Sequence, residues 1–576
     1  MWAKHTHSFM QHVLGDDMQY CLQQTYNLKQ GLKEFGEEGV ASAKKEIAQI
    51  HGRGSLSPTH LRDLTDEEAK RALELVTIML RKKTSQVVKT RMCINGSTQK
   101  NWMSKEEIAS PTAAPEAVVL TSAVDAHEER DVATVDVPNA FMQAPIDTKP
   151  GDPRVVMVLR GLIVDMLCDL DPDLYSPYVV MEKGKKVLRL IVHRAIYGLV
   201  QSPMLWYKKW RADIEAQGFK VNPYDPCVAN KKVNGLYLTL LWHVDDVKIS
   251  HKDSKVDDEF ISWMDAKCSD ENGKITVTRG KIHVFLGMTL DFSVPGELKI
   301  NMVSYVEAML AEFHKIQKIG TESKCPWTEG LFTVDDTNPK LDENKAESFH
   351  TYVAKALFLS KRARPDILPA VSFLCTRVRE PTDQDWRKLW RMMKFLKGTS
   401  DEVLTLKVAG MQLNWYWDAS FAVHEDYKSH TGGALIMGKG CVLSTSTKQK
   451  LTTRSSTEAE LITVDDGMSL MLWAKLFLEE QGLQVIDNVL HQDNQSAILL
   501  EKNGKASSSK RTRHINTRYY FVTDQVSQGN LNIKYCPTDQ MIADYFTKPL
   551  TGTKFQLFWN LIMNPSSQCE DTGDAV

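Results

Sequence analysis

Apolar and polar positions along this chain follow two periods, and the switches between them divide it into regions. Up to about residue 85 the spacing is helical: LKEFGEEGVASAKKEIAQI and DEEAKRALELVTIML flank a loop-like HGRGSLSPTH. From Val87 to Pro295, short β-rich runs alternate with helical stretches. VATVDV, VLRLIVH, YLTLLWHV and ITVTRGKIHVFLGMTLDF are the clearest, and together they predict an α+β or α/β region. Residues 300–400 return to helical spacing in SYVEAMLAEFHKI, ESFHTYVAKALFLSKRA, DILPAVSFLCTRV and DWRKLWRMMKFLKG. A new strand-rich unit is expected from about Leu404, with LTLKV, QLNWYWDAS and the glycine-turned pair GGALIMGKGCVLSTST. A long helix near Ser455, a strand around VLHQD and a final helix near Thr538 follow, before a polar tail. The expected divisions are 1–85, 86–300, 301–403, 404–556 and 557–576.

With 576 residues the chain exceeds what one core sustains, which agrees with several folded units. Its 42% hydrophobic and 25% charged residues are those of an ordinary globular protein. No run approaches the ~18 apolar residues of a membrane helix, and MWAKHTHSFM lacks the build of a secretory signal. None of the ten cysteines forms a C-x-x-C pair, which argues against a zinc module or a disulfide scaffold and for a reducing compartment. The net charge is −2, yet cations gather locally. Residues 181–211 hold eight Lys and Arg against Glu182 alone, and KASSSKRTR at 505–513 holds no acid. A charge run is ordinarily a solvated face, so charge alone decides nothing.

The carboxylates say more. Asp136 follows the β-branched run VATVD, and Asp245 and Asp246 interrupt apolar sequence in YLTLLWHVDDVKIS, as at the tip of a tight hairpin. An exposed acidic turn is one reading. The other is a pair of strand-borne carboxylates held for a metal, since unpaired burial is costly. Paired Mg²⁺ ions on oxygen ligands serve phosphoryl transfer. Toward the C-terminus, Asp418 ends a strand, Glu460 lies early in a helix, Asp493 ends a second strand and Asp544 lies in a late helix. Glu458, two residues before Glu460, faces a different side of that helix.

Five ordered blocks carry a resemblance: KTRMCINGSTQK (89–100), DVATVDVPNAF (131–141), RAIYGLVQSPMLWY (194–207), HVDD (243–246) and FLG (285–287). They resemble the reverse transcriptase of Ty1/copia-type retrotransposons. The strings STEAE, DNQSA and AD-x-FTKPL resemble the ribonuclease H of the same type. The resemblance implies an α+β, multidomain chain: a right-hand polymerase with fingers, palm and thumb-like parts, then a ribonuclease H-like α/β domain. It implies that Asp136, Asp245 and Asp246 serve the polymerase and Asp418, Glu460, Asp493 and Asp544 the nuclease. Both sites would use two Mg²⁺, with Mn²⁺ as a substitute. Lys89 and Arg91 would meet the incoming triphosphate, Phe141 would gate against a ribose 2′-hydroxyl, and Gln201 would line the nucleotide site. His514, in KRTRHIN, is a candidate mobile histidine, with Lys510, Arg511 and Arg513 beside it to suit a hybrid backbone. ARPDI (363–367) and KFLKGT (394–399) match the tether between the two activities. His243 stands where the family usually has Tyr, and is read as a structural substitution.

The implied partners are an RNA template, a primer, the RNA–DNA hybrid, dNTPs and other element products such as gag, protease and integrase. No membrane partner is expected, and the cytoplasm, in virus-like particles, with nuclear access for the product complex, is the expected setting. No integrase zinc module or gag knuckle is present in the sequence, so a C-terminal piece of a larger polyprotein is expected. The competing reading is a decayed or co-opted fragment that acts only as a nucleic-acid-binding or structural protein, and a third is a polymerase with a dead nuclease. All seven acids are intact.

Overall fold

The computed structural model describes residues 25–81, 86–335, 337–504 and 516–565. A helix, Leu28–Gly52, opens the described chain, its first turn capped by Asn27. It lies on the strand Val88–Ile94, where Thr90 donates to Ser42 (2.8 Å) and the Met92 amide to Glu46 (3.3 Å). The second expected helix is mostly a strand. Only Asp66–Arg71 is helical, closed by a Thr65–Glu68 capping box, and Leu73–Arg81 pairs antiparallel with Val88–Ile94. Val76, Thr77 and Ile78 favour the pleated surface that this pairing offers. The expected loop also contains a strand, Leu56–Thr59, paired with Lys185–Val192. The described residues before 85 therefore complete a six-stranded sheet with the region after them.

A second six-stranded sheet is antiparallel throughout. Asp131–Asp136 lies between Thr276–Thr278 and Asp246–His251, and the hairpin partner Leu236–His243 follows. The helix Pro115–His127 packs behind it. Its Asp125 is fully buried in an ion pair with Lys248 of the sheet, and Arg130 stands 3.7 Å from the same carboxylate while donating to Thr239. A buried pair gains its worth from such added partners.

The four expected tether helices form as Val303–Ile316, Glu343–Ser360, Leu368–Arg377 and Asp383–Gly398. The expected boundary at 404 does not coincide with a break in the fold. Leu404–Val408 pairs with Glu297–Asn301 of the preceding region, in a five-stranded sheet of its own. Its alternation suits any sheet, and the partner is chosen by burial against the helix Pro115–His127 and the terminal helix Gly552–Met563. The C-terminal sheet begins at Gln412, with the order Cys441–Lys448, His430–Ile436, Gln412–Ser420, Asp487–Gln492, Asn532–Tyr535. The last three strands run parallel, with the long helix Ser456–Glu480 packed on the central one.

The final helix does not begin near Thr538, where there is one short turn, but at Gly552. It runs to Met563, past the expected start of the tail, because Phe555, Phe558, Trp559, Ile562 and Met563 form one apolar face that is buried. This helix also explains the ARPDI and KFLKGT strings. Arg364 forms a two-pronged, fully buried pair with Asp366 (2.9 and 2.8 Å) and donates to Thr399. Trp559 donates its indole N–H to the same Asp366 carboxylate (2.9 Å), and Tyr545 donates to the Asp366 carbonyl (3.0 Å). Tether and C-terminal region thus share one polar knot inside a core that is continuous from Ala43 to Met563.

Candidate active sites

The first group of acids stands on the floor of a cavity of about 1580 Å³. Antiparallel register sets Asp136 opposite Asp246, and the Asp245 carbonyl accepts the Val137 amide (3.0 Å). The hairpin tip is strained: Val244, a β-branched residue, has φ of 59°. Two hydrogen bonds hold the tip in place. Besides Val137, Trp206 donates its indole N–H to the Val244 carbonyl (2.6 Å). Lys89 and Arg91, on alternate positions of their strand, line the opposite wall. Glu46 from the first helix lines the same cavity and accepts from the Met92 amide. Burial holds its carboxyl above the usual range, against the pull of Arg91 and Lys89. Phe141 lines the cavity too, packed edge-on to Tyr197 at 5.1 Å, and Arg91 lies over the Tyr197 ring at 5.0 Å. Gln201 is not among the lining residues. It precedes the helix Ser202–Ala216, its carbonyl accepting from Leu205. His243 ends its strand at the cavity wall.

The second group is tighter. Asp418, Glu460 and Asp493 each offer an oxygen within 4.8 Å of the others, the one such grouping among the described residues. The central strand carries Asp418, the long helix Glu460, and the end of the neighbouring parallel strand Asp493. Burial pushes the Asp418 carboxyl up to about 6, with Asp544 adding to the shift and Lys548 and Thr547 opposing it. Burial, then Asp418 and Asp493, push Glu460 well above its usual range. Crowded, desolvated carboxylates of this kind are what a hard divalent cation relieves, so the oxygen donors present fit one. Glu458 instead completes the helix start, accepting from the Arg454 amide while its own amide meets Ser455. Asp544 is nearby but outside the trio: Lys548 donates to one oxygen and Lys554 stands 2.6 Å from the other. His514 and the cations beside it lie outside the described residues.

Four contributors escape a reading of the sequence alone. Gln492, fully buried, donates to Glu460 (3.4 Å) and accepts from the amides of Asp493 and Asn494. Thr538 donates to Asp493 and Thr547 to Asp418. Trp206 looks like one more core aromatic until its N–H is traced. Adjacency to Asp493 was the available signal for Gln492, and membership of the FTKPL string for Thr547. Metal ligands are commonly oriented by such neighbours.

Residues 65–323 match the family described as reverse transcriptase (RNA-dependent DNA polymerase). The chain is 26% identical over 487 residues to the retrovirus-related Pol polyprotein from transposon TNT 1-94 of Nicotiana tabacum, across 82% of this chain and 34% of that protein. The corresponding Pol polyproteins from transposons RE2 and RE1 of Arabidopsis thaliana are 27% identical, across 82% of this chain and 30% of their own length. The chain thus spans about a third of the length of the curated relatives it matches. Among solved structures, Prototype Foamy Virus protease–reverse transcriptase is 12% identical, over 91% of this chain and 55% of that one, with a TM-score of 0.26. RNase H1 of Halobacterium salinarum is 16% identical, over 23% of this chain and 93% of that one, with a TM-score of 0.18. Both structural likenesses are low, and the assignment rests on the sequence relatives. No helix among the described residues is long and apolar enough to cross a membrane. With its reverse transcriptase match at 65–323 and its relatives across 82% of its length, the chain is similar to retrovirus-related Pol polyproteins of the Ty1/copia type.

Proposed function

We propose that this chain copies RNA into DNA in the first cavity and cleaves the RNA strand of the resulting hybrid at the C-terminal trio. The observation that carries the reading is the meeting of the reverse-transcriptase-like blocks in one cavity, acids on the floor and Lys89 and Arg91 on the wall. Lys89 and Arg91 take the triphosphate of the incoming nucleotide. Phe141, backed by Tyr197, excludes a ribose 2′-hydroxyl by bulk. Asp136, Asp245 and Asp246 would hold Mg²⁺, with the strained tip fixing where the two hairpin carboxylates stand. Asp418, Glu460 and Asp493 would do the same in the nuclease, oriented by Gln492 and Thr538. At both sites a bound divalent ion, Mg²⁺ or Mn²⁺, supplies charge to the attacking oxygen and the phosphate. RNA template, primer, hybrid and dNTPs are the substrates, and other element products act beside it.

Primer extension on an RNA template with Mg²⁺ tests this, alongside cleavage of a labelled hybrid. Asp245→Asn is expected to abolish synthesis and spare cleavage, and Asp418→Asn to do the reverse. A folded wild-type chain inactive in both assays overturns the enzyme reading and leaves a protein that only binds nucleic acid.

A further inference from the structure

One ring on the wall of the first cavity touches two of the side chains that would select its nucleotide. Tyr197 is 8% exposed and lines the cavity. Phe141 packs 5.1 Å from it, the two planes 61° apart, and the Arg91 guanidinium lies over its ring at 5.0 Å. Burial pushes the phenol up first; Arg91 then draws it down, and Asp245, Glu46 and Asp136 push it up. The ring thus lies within the field of both wall and floor.

The backbone fixes where it stands. The Tyr197 carbonyl accepts the Ile94 amide (2.8 Å), which ties it to the strand Val88–Ile94 that carries Arg91. Gly198 follows with φ of 92°, and a Cβ there would come within 2.1 Å of the Ile94 carbonyl. Phe141 belongs to a different part, the short helix Ala140–Gln143 that follows the floor strand Asp131–Asp136. At the end of that helix the Ala144 carbonyl accepts the Ala195 amide (2.9 Å), two residues before Tyr197. Tyr197 therefore stands at the seam between the sheet of cations and the sheet of acids, and a main-chain hydrogen bond at or near it reaches each side.

One set of contacts serves two ends. Behind Phe141, the ring denies the gate room to swing back, since a close-packed interior yields little. Beneath Arg91, its π face holds the guanidinium by attraction to the ring. We propose that Tyr197 is a positioning residue that couples two selections: rejection of a ribose 2′-hydroxyl through Phe141 and capture of the triphosphate through Arg91. This rests on reading the first cavity as the polymerase site. A side chain without the ring loosens both together.

The test is single-nucleotide extension of a primer on an RNA template by the full chain, with a dNTP and with the matching rNTP. Wild type, Tyr197→Phe and Tyr197→Leu are compared. Tyr197→Leu is expected to lower the dNTP-to-rNTP ratio of kcat/KM ~10-fold, the scale on which a pocket sorts substrates by one small group. It is also expected to raise the KM for dNTP roughly 2–5-fold, the worth of one cation–π contact. Tyr197→Phe, which keeps the ring, is expected to keep the wild-type ratio. A ring that merely supports the fold would lower kcat for both substrates and leave their ratio alone. In Tyr197→Leu, an unchanged ratio, or a lowered ratio with an unchanged KM, overturns the proposal; so does a ratio lost in Tyr197→Phe. Tyr197→Met, unbranched and able to fill an irregular gap, gives the same reading if Tyr197→Leu does not fold. A folded wild type that extends no primer overturns the polymerase reading beneath it.

Discussion

The two acid groups are built on opposite plans. The first lies between two sheets: its carboxylates come from one and its cations from the other, across an open cavity. The second lies within one sheet and the helix packed on it, where three of its acids converge. A site divided between sheets needs its substrate to complete it, which suits a reaction that must sample each incoming nucleotide. A site within one sheet is preorganised, which suits cleavage wherever a hybrid backbone passes. The cost of preorganisation appears in the crowded, upward-shifted carboxyls of Asp418 and Glu460.

The contrast can be broken or sharpened by substitution. The largest effect is expected at the knot that joins the tether to the C-terminal region. Asp366→Asn leaves Arg364 buried without its partner and should destabilise the chain by about 3–5 kcal/mol. Thermal inactivation of synthesis and of cleavage should shift down together; separate shifts would show that the two regions unfold independently. Gln492→Leu should come next, weakening hybrid cleavage ~10–100-fold while synthesis stands. Trp206→Phe, which removes the indole N–H on the Val244 carbonyl together with part of the buried ring, should slow primer extension by a smaller factor, about tenfold, and leave cleavage unchanged. An equal loss in both assays for either variant would contradict local preorganisation.

The effect confined to alkaline pH concerns Asp257, fully buried behind the second sheet and pushed up to about 8, first by burial and then by Asp131. Arg279, paired with Asp131, opposes the shift, and Asp125 adds to it. Its folded carboxyl holds a proton that the unfolded chain releases near the ordinary value of about 3.9. Stability from this group is therefore complete below about pH 4 and is lost as pH rises through about 8. Asp257→Asn removes that slope and should gain about 1–3 kcal/mol over wild type at pH 8.5, and nothing at pH 4. Denaturant midpoints at the two pH values decide it.

The acids themselves were legible because carboxylates interrupting apolar strands are chemically conspicuous. Asp136 and Asp246 meet by register, and Asp418, Glu460 and Asp493 by the packing of a helix on a sheet. The pairing of Leu404–Val408 was not legible: LTLKV alternates as any half-buried strand does, and periodicity names no partner. The strand Leu73–Arg81 was hidden behind a strong helix start at Thr65–Glu68, whose capping signal extends over only six residues of helix. The helix Gly552–Met563, by contrast, was present in the spacing of Phe555, Phe558, Trp559 and Ile562, and the polar residues beyond it masked the face. Gln201, matched by motif to a nucleotide contact, stands just before a helix and is not among the residues lining the cavity. A motif orders residues along the chain and leaves the direction of each side chain to packing.

The strand Leu404–Val408 has a practical consequence for anyone dividing this gene. A piece excised at residue 404 would carry the nuclease acids but leave Glu297–Asn301 behind, exposing a raw row of backbone donors and acceptors along the cut. Such an edge recruits other copies of itself, and the fragment should clump in solution. A cut at Gln412 would instead strip the cover from the terminal helix, whose Asn564 donates to the Thr405 carbonyl. The smallest portable C-terminal unit is therefore longer than its acid trio requires: it starts upstream of Glu297 and takes the whole tether with it.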